Sequence, residues 1–262
     1  MASVSAHLGA LRARGEKALV LFVTAGDQPL EQLPALIEAL EEGGADLIEI
    51  GVPFSDPFGE GVTIQASSQR SLDNGTTVRS VLEALQEASP HVPLVTMGYV
   101  NPVMRFGFLE YAVALAAIGV AGSIIQDLVP EEADVWCDEA ATNGLETIFL
   151  AAPTSTESRI DEVCRRSTGF VYAVSRTGVT GAGQEAPPEV AQLVGKLRDK
   201  TELPVCVGFG ISKPEHVRMV CAVADGAIVG SSLVELLHRQ WDGGKGKSEV
   251  IEYVRSLKAA TR

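Results

Sequence analysis

Residues 48–65 read IEIGVPFSDPFGEGVTIQ, a short apolar run breaking into a glycine- and proline-rich loop. The run spans 46–50 and ends in a carboxylate, Glu49, among β-branched residues, and the loop adds two more acids, Asp56 and Glu60. A strand inside a parallel sheet is normally a continuous apolar run. A carboxylate at its end costs desolvation energy unless something uses it. In a barrel of alternating strands and helices, Glu49 and Glu60 would both stand on the rim where such barrels do their chemistry.

The chain on either side repeats that alternation. Apolar runs at 18–24, 46–50, 93–97, 121–126, 145–150, 169–175, 203–207 and 226–229 read as strands. Helical patterns fall at 4–14, 30–42, 63–72, 76–88, 109–118 and 130–142. Further ones end at 166, capped by Thr154 or Ser155, and cover 188–200, 214–224, 233–239 and 248–260. Residues 98–102 read as a rim loop. Eight strands alternating with helices, without a linker, predict a (β/α)8 TIM barrel with an extra N-terminal helix and one domain over 1–262.

Composition narrows the function. With 46% hydrophobic and 21% charged residues the chain can build a sizeable core. A net charge of -13, from 34 acidic and 21 basic side chains, argues against nucleic acid as a partner. No apolar run approaches a membrane span, and none ahead of the first strand has the make-up of a signal peptide. Cys137, Cys164, Cys206 and Cys221 lack CxxC spacing and read as free thiols, so a cytoplasmic location is expected.

Three glycine-rich segments, 178–183, 208–210 and 230–231, follow the last three predicted strands. Barrels of this kind hold phosphate against the loops after strands seven and eight, where glycine lets backbone N–H groups approach the anion. A phosphorylated small molecule is the expected ligand. Taken alone, each segment also reads as an ordinary tight turn.

The titratable residues limit the chemistry. His7, His91, His216 and His238 fall on helices or bottom-face connections, and none of the seven lysines ends a strand. Histidine acid/base chemistry, a histidine-bound metal and a Schiff base are therefore disfavoured. The rim retains Asp27, Glu49, Asp56, Glu60, Asp127, Tyr99, Tyr172 and Arg176. That inventory suits proton transfer by carboxylates with neither metal nor cofactor. Each has a plainer reading too: Glu60 as a solvated loop acid, Asp56 as a turn residue, Asp127 as a cap for the helix near Pro130. Phe22, Phe209, Tyr99 and Tyr172 could equally be packing aromatics.

The runs LIEIGVPFSDP, TIQ, YVNP, VYAVSRTGVTGA, GFGIS and IVGSSLV, in this order over about residues 18–240, resemble the α subunit family of tryptophan synthase. The resemblance implies the same barrel and a retro-aldol cleavage of indole-3-glycerol phosphate to indole and glyceraldehyde 3-phosphate. Indole would then pass to a pyridoxal-phosphate β subunit. By the same resemblance Glu49 is the general acid/base and Tyr172 an active-site neighbour. Phe22, Tyr99 and Phe209 surround the indole, and Gly181, Gly210, Gly230 and Ser231 hold the phosphate. Thr180 lies in the loop that closes over substrate, and Pro53, Asp56, Asn101 and Asp127 fall in segments facing the β subunit.

One position departs from the family pattern. Where the family has an aspartate contacting the indole N–H, this chain has Glu60, preceded by Phe58 and Gly59, which are also unusual. Leu21 and Gln28 stand where prolines are expected. The extra methylene displaces the carboxylate by about 1.3 Å, and a misplacement near 1 Å can cost roughly 100-fold in rate. Two other readings therefore stay open: a stand-alone lyase for a related aryl-glycerol phosphate, and a weakly active subunit that mainly activates a β subunit.

Overall fold

The computed structural model describes residues 3–175, 186–208 and 210–262. Arg176, Thr180, Gly181 and Phe209 lie outside that range. Among the described residues eight parallel strands close into a barrel in sequence order: β1 (Ala18–Thr24), β2 (Leu47–Gly51), β3 (Leu94–Gly98), β4 (Gly122–Ile125), β5 (Glu146–Ala151), β6 (Val171–Val174), β7 (Val205–Gly208) and β8 (Gly226–Val229), which pairs back to β1. The expected (β/α)8 barrel is the observed fold. Among the described residues no helix is long and apolar enough to cross a membrane.

The helices are α1 (Val4–Ala13), α2 (Leu33–Gly43), α3 (Val62–Asp73), α4 (Val78–Gln86), α5 (Val100–Phe106) and α6 (Phe108–Ala117). They continue with α7 (Asp134–Thr142), α8 (Glu157–Arg166), α9 (Pro188–Arg198), α10 (Pro214–Cys221), α11 (Ser231–Gln240) and α12 (Lys247–Ala259). Strand alternation divides the core into two layers. Leu19, Leu21 and Val23 of β1 and Ile48 and Ile50 of β2 face the helices. Val20, Phe22 and Leu47 face the barrel interior. Two residues beyond Leu47, Glu49 points inward by the same period.

The extra N-terminal helix closes the bottom of the barrel. Val4, Leu8 and Leu11 of α1 are buried in the interior layer. Its N-terminus is held by Glu146, the first residue of β5. That carboxylate accepts from the backbone N–H of Val4, from Ser5 N at 3.1 Å, and from the hydroxyls of Ser3 and Ser5. A carboxylate placed on free N–H groups at a helix start satisfies those donors and opposes the positive end of the dipole.

Several element ends shift by a few residues from the expected bounds, and three local readings change outright. Residues 98–102 are not all loop: α5 begins at Val100, and Gly107 at φ 102° separates it from α6. Pro102 suggests a turn but sits in the first turn of α5, where a missing N–H costs nothing. Asp127 caps this helix and not the one near Pro130, since its carboxylate accepts from Val100 N at 2.7 Å. The cap of α8 is Thr156, whose hydroxyl accepts from Arg159 N at 3.2 Å, rather than Thr154 or Ser155.

Candidate active site

A cavity of about 300 Å³ opens at the C-terminal end of the barrel. Strand ends supply Phe22, Glu49, Met97, Tyr172 and Ile228, the loop after β2 supplies Glu60, and the loops after β7 and β8 supply Gly210, Ser212, Gly230 and Ser231. The expected acid pair, the tyrosine, Phe22 and the described phosphate-loop residues thus border one space. The described lining carries no lysine or arginine. Among the described residues no three His, Cys, Asp or Glu come together as a metal-binding group.

Glu49 is fully buried, and neither carboxylate oxygen meets a hydrogen-bond partner among the described residues. Its strand neighbours are Phe22 on β1 and Val95 on β3. Burial, reinforced by the nearby charge of Glu60, pushes its pKa up to about 8. Desolvation disfavours the anion and a like charge adds to that penalty. Glu49 therefore holds its proton at neutral pH and borders the open cavity.

Glu60 is half-buried, and burial raises its pKa as well, but Gln126 at the end of β4 donates to it at 2.7 Å and opposes the shift. The loop bearing it is tied down on both sides. Gly59 N donates to the Tyr99 hydroxyl at 3.1 Å, and the side chain of Gln65 donates to the Glu60 carbonyl at 2.8 Å. Beyond the loop, α3 is fastened to the end of β1. Thr24 meets Ser67 at 2.7 Å, and Arg70 forks onto Asp27 at 2.6 and 2.9 Å. Asp27, a rim acid in the sequence, is thereby occupied as a clamp.

The aromatic residues divide by position. Phe22 and Tyr172 line the cavity, whereas Tyr99 is buried beside it, against Phe54 and Phe58 at ring distances of 5.2 and 5.5 Å. The Tyr172 hydroxyl is held neutral, pushed well up by burial and by the acids Glu49 and Glu60. Its ring explains one glycine: a Cβ on Gly208 would lie 2.2 Å from that hydroxyl. The first glycine of the GFG run makes room for Tyr172.

At the opposite side of the cavity stand Gly210 and Ser212 of the loop after β7 and Gly230 and Ser231 after β8. Gly210 has φ +74°, a left-handed turn that glycine adopts without strain. Gly230 caps α11, whose first residue is Ser231. Three further residues bear on the site, the first two with no local signal in the sequence. The Tyr253 hydroxyl of α12 sits 2.8 Å from Ser232 Oγ and 3.1 Å from the Ser212 carbonyl, bridging the two loops. Glu235 borders the cavity and is ion-paired with Arg239. Gln126 ends a predicted strand, and a search for polar strand-end residues would have found it.

The residues expected to face a partner lie on the rim nearby. Pro53 and Asn101 line a groove with Phe54, Arg79 and Arg105, and Asp56 is exposed. Asp127 is half-buried and holds the start of α5 in place.

Residues 8–262 match the family model of the tryptophan synthase alpha chain. The tryptophan synthase alpha chain of Solibacter usitatus (strain Ellin6076) is 44% identical over 250 residues, covering 95% of this chain and 94% of that one. The tryptophan synthase alpha chain of Geobacter sulfurreducens is 44% identical over 262 residues, with 99% of both chains covered. Among solved structures, tryptophan synthase subunit alpha from Legionella pneumophila superposes with a TM-score of 0.90 at 31% identity, covering 100% of this chain and 98% of that chain. Aminoacrylate-bound tryptophan synthase from M. tuberculosis gives 0.89 at 34% identity, with full coverage of both chains.

Proposed function

This chain belongs to the tryptophan synthase alpha chain family, and we propose that Glu49 and Glu60 carry its reaction, the retro-aldol cleavage of indole-3-glycerol phosphate. The observation that bears most on this is the buried carboxyl of Glu49, without a hydrogen-bond partner among the described residues, bordering the same cavity as a second acid.

The proton balance closes on Glu49. Its carboxyl protonates the indole ring carbon that bears the side chain, giving a cationic ring with a broken aromatic system. The resulting carboxylate then takes the proton of the adjacent side-chain hydroxyl. The carbon–carbon bond breaks as the carbonyl of glyceraldehyde 3-phosphate forms, and its electron pair restores the indole. A pKa near the working pH suits a group that must give and take a proton in one turnover.

Glu60, as the anion, accepts the indole N–H and stabilises the positive charge that develops on the ring. Tyr172 and Phe22 pack beside the indole, with Tyr99 supporting the Glu60 loop, and Gly210, Gly230 and Ser231 bind the phosphate at the start of α11. Thr180, Gly181 and Phe209 keep the roles that the family pattern implies: closure over substrate, phosphate binding and indole packing. The firm seating of Glu60 favours a catalytic chain over one that serves only as an activator.

The chain works with a β subunit, which takes up the indole. We place that contact on the rim formed by Pro53, Asp56, Asn101 and the helix that Asp127 caps. Residues 1–262 are taken as one barrel domain. Four free cysteines support a cytoplasmic location.

Indole release from indole-3-glycerol phosphate, with and without a β subunit, tests the assignment. The natural chain turns over, and Glu49→Gln lowers kcat by roughly 100-fold or more. Undiminished turnover by a correctly folded Glu49→Gln chain would remove Glu49 from the chemistry.

A further inference from the structure

We propose that Gln126 is a positioning residue for the reaction, an amide at the end of β4 that seats the longer carboxylate of Glu60 in the cavity. The inference rests on the reading of Glu60 as the second acid of the site. Its geometric basis is the 2.7 Å hydrogen bond from Gln126 Nε2 to Glu60 Oε1, between residues 66 positions apart in sequence.

The two ends of this contact differ in stiffness. Gln126 follows directly on β4, and its backbone N–H donates to the Gly98 carbonyl at 2.9 Å, continuing the pairing of β4 with β3. Its side chain therefore projects from the sheet itself. Glu60 comes from a loop, and its side chain has three torsions to fix. A rigid donor reaching a flexible carboxylate selects one of its positions, and sites anchored on strands hold geometry better than sites left to loops.

The pair is also matched in length. An aspartate at position 60 would draw the carboxylate back by about 1.3 Å. The separation from Nε2 would then be near 4 Å, outside hydrogen-bond range. The methylene that Glu60 adds to the family pattern is the one that lets it meet Gln126. Glutamate here has the length that reaches Gln126, which an aspartate lacks.

The same bond bears on charge. Around Glu60 stand Glu49 from β2, Tyr172 from β6 and Tyr99 beyond β3, with Asp56 and Asp127 near the Tyr99 side. All are acids or phenols, so no cation among these groups favours the anion of Glu60. Gln126 is the neutral donor that favours its anion against burial. With Glu60 charged, Glu49 remains the member of the pair that carries the proton.

The test is the pH dependence of indole release for the natural chain, Gln126→Leu, Gln126→Met, Glu60→Asp, Glu60→Gln and the double variant Gln126→Leu/Glu60→Asp. Circular dichroism melts establish that each variant is folded. Gln126→Leu and Gln126→Met, which keep volume without a donor, should lower kcat roughly 10- to 100-fold with little change in KM. Their acidic limb should move up by about one pH unit, as expected for a carboxylate that has lost a hydrogen bond. Glu60→Asp should lower kcat to a similar extent. The double variant should be no worse than either single one, because each already breaks the same contact.

If the two losses multiply, or the acidic limb stays in place in both folded position-126 variants, the positioning role is wrong, while the role of Glu60 stands provided that Glu60→Gln is inactive. If Glu60→Gln retains full activity, the reading of Glu60 fails and the inference falls with it.

Discussion

Glu49 is where stability and chemistry oppose each other most directly. In the unfolded chain its carboxyl ionises near the ordinary value of about 4.3, whereas in the folded chain it keeps its proton to about pH 8. Below the lower value both states hold the proton and the residue adds no pH dependence. Between the two, the folded chain binds a proton that the unfolded chain has released, so folding stability falls as pH rises. Glu49→Gln removes that cost and should stabilise the protein at pH 7 by about 3–4 kcal/mol, with little gain at pH 4. Urea unfolding at the two pH values measures it; an equal gain at both would mean that Glu49 is not held protonated. In the natural enzyme kcat/KM should decline above about pH 8, as Glu49 loses the proton it must deliver. The sequence marked Glu49 because a carboxylate interrupted an apolar strand. Gln126 escaped notice because a glutamine beside an aspartate at a strand end looks unremarkable until its partner is in view.

Among the elements, α1 and the α5–α6 pair show where local pattern ends. The amphipathic stretch at 4–14 was legible as a helix, but its destination was not: it plugs the barrel bottom and is fastened by Glu146. Glu146→Gln leaves the hydrogen-bonding shape but removes the charge at the helix start. It should destabilise the protein by about 0.5–1 kcal/mol, and Glu146→Ala by about 1–2 kcal/mol. Urea unfolding reads the loss, and amide exchange should locate it in α1; uniform exchange changes across the barrel would contradict a local clamp. The helix α5 was missed because YVNP carries a turn signal, and only the contact from Asp127, 27 residues away, supplies the cap that lets a helix begin there. Strands β1 and β8, by contrast, begin and end at the residues expected from the sequence, since uninterrupted apolar runs bounded by turn residues leave little latitude.

At the scale of the whole molecule, the phosphate side of the site depends on the far end of the chain. Tyr253 of α12 meets both Ser232 and Ser212, so the last helix braces the loops after β7 and β8. Tyr253→Phe deletes the bridge while keeping the ring. It should raise KM for indole-3-glycerol phosphate a few-fold and leave kcat little changed, as expected for a loss of one hydrogen bond worth about 1 kcal/mol. A fall in kcat at unchanged KM would show that the helix supports the acids and not the anion site.

The sequence by itself determined the barrel, the rim position of Glu49 and Tyr172, and the glycine-rich segments after the last strands, because each follows from a local regularity. Apolar runs set the strands, period-two alternation sets which side chains enter the barrel, and glycines mark turns at strand ends. Only the tertiary structure decided which distant groups meet. Glu60 with Gln126, Glu146 with Val4 and Tyr253 with Ser212 are separated by 66, 142 and 41 residues. Such contacts exist because closing the sheet into a barrel brings distant strand ends and helices within hydrogen-bond reach. The register and curvature that do so are set by packing across the whole ring, and no segment read alone contains them.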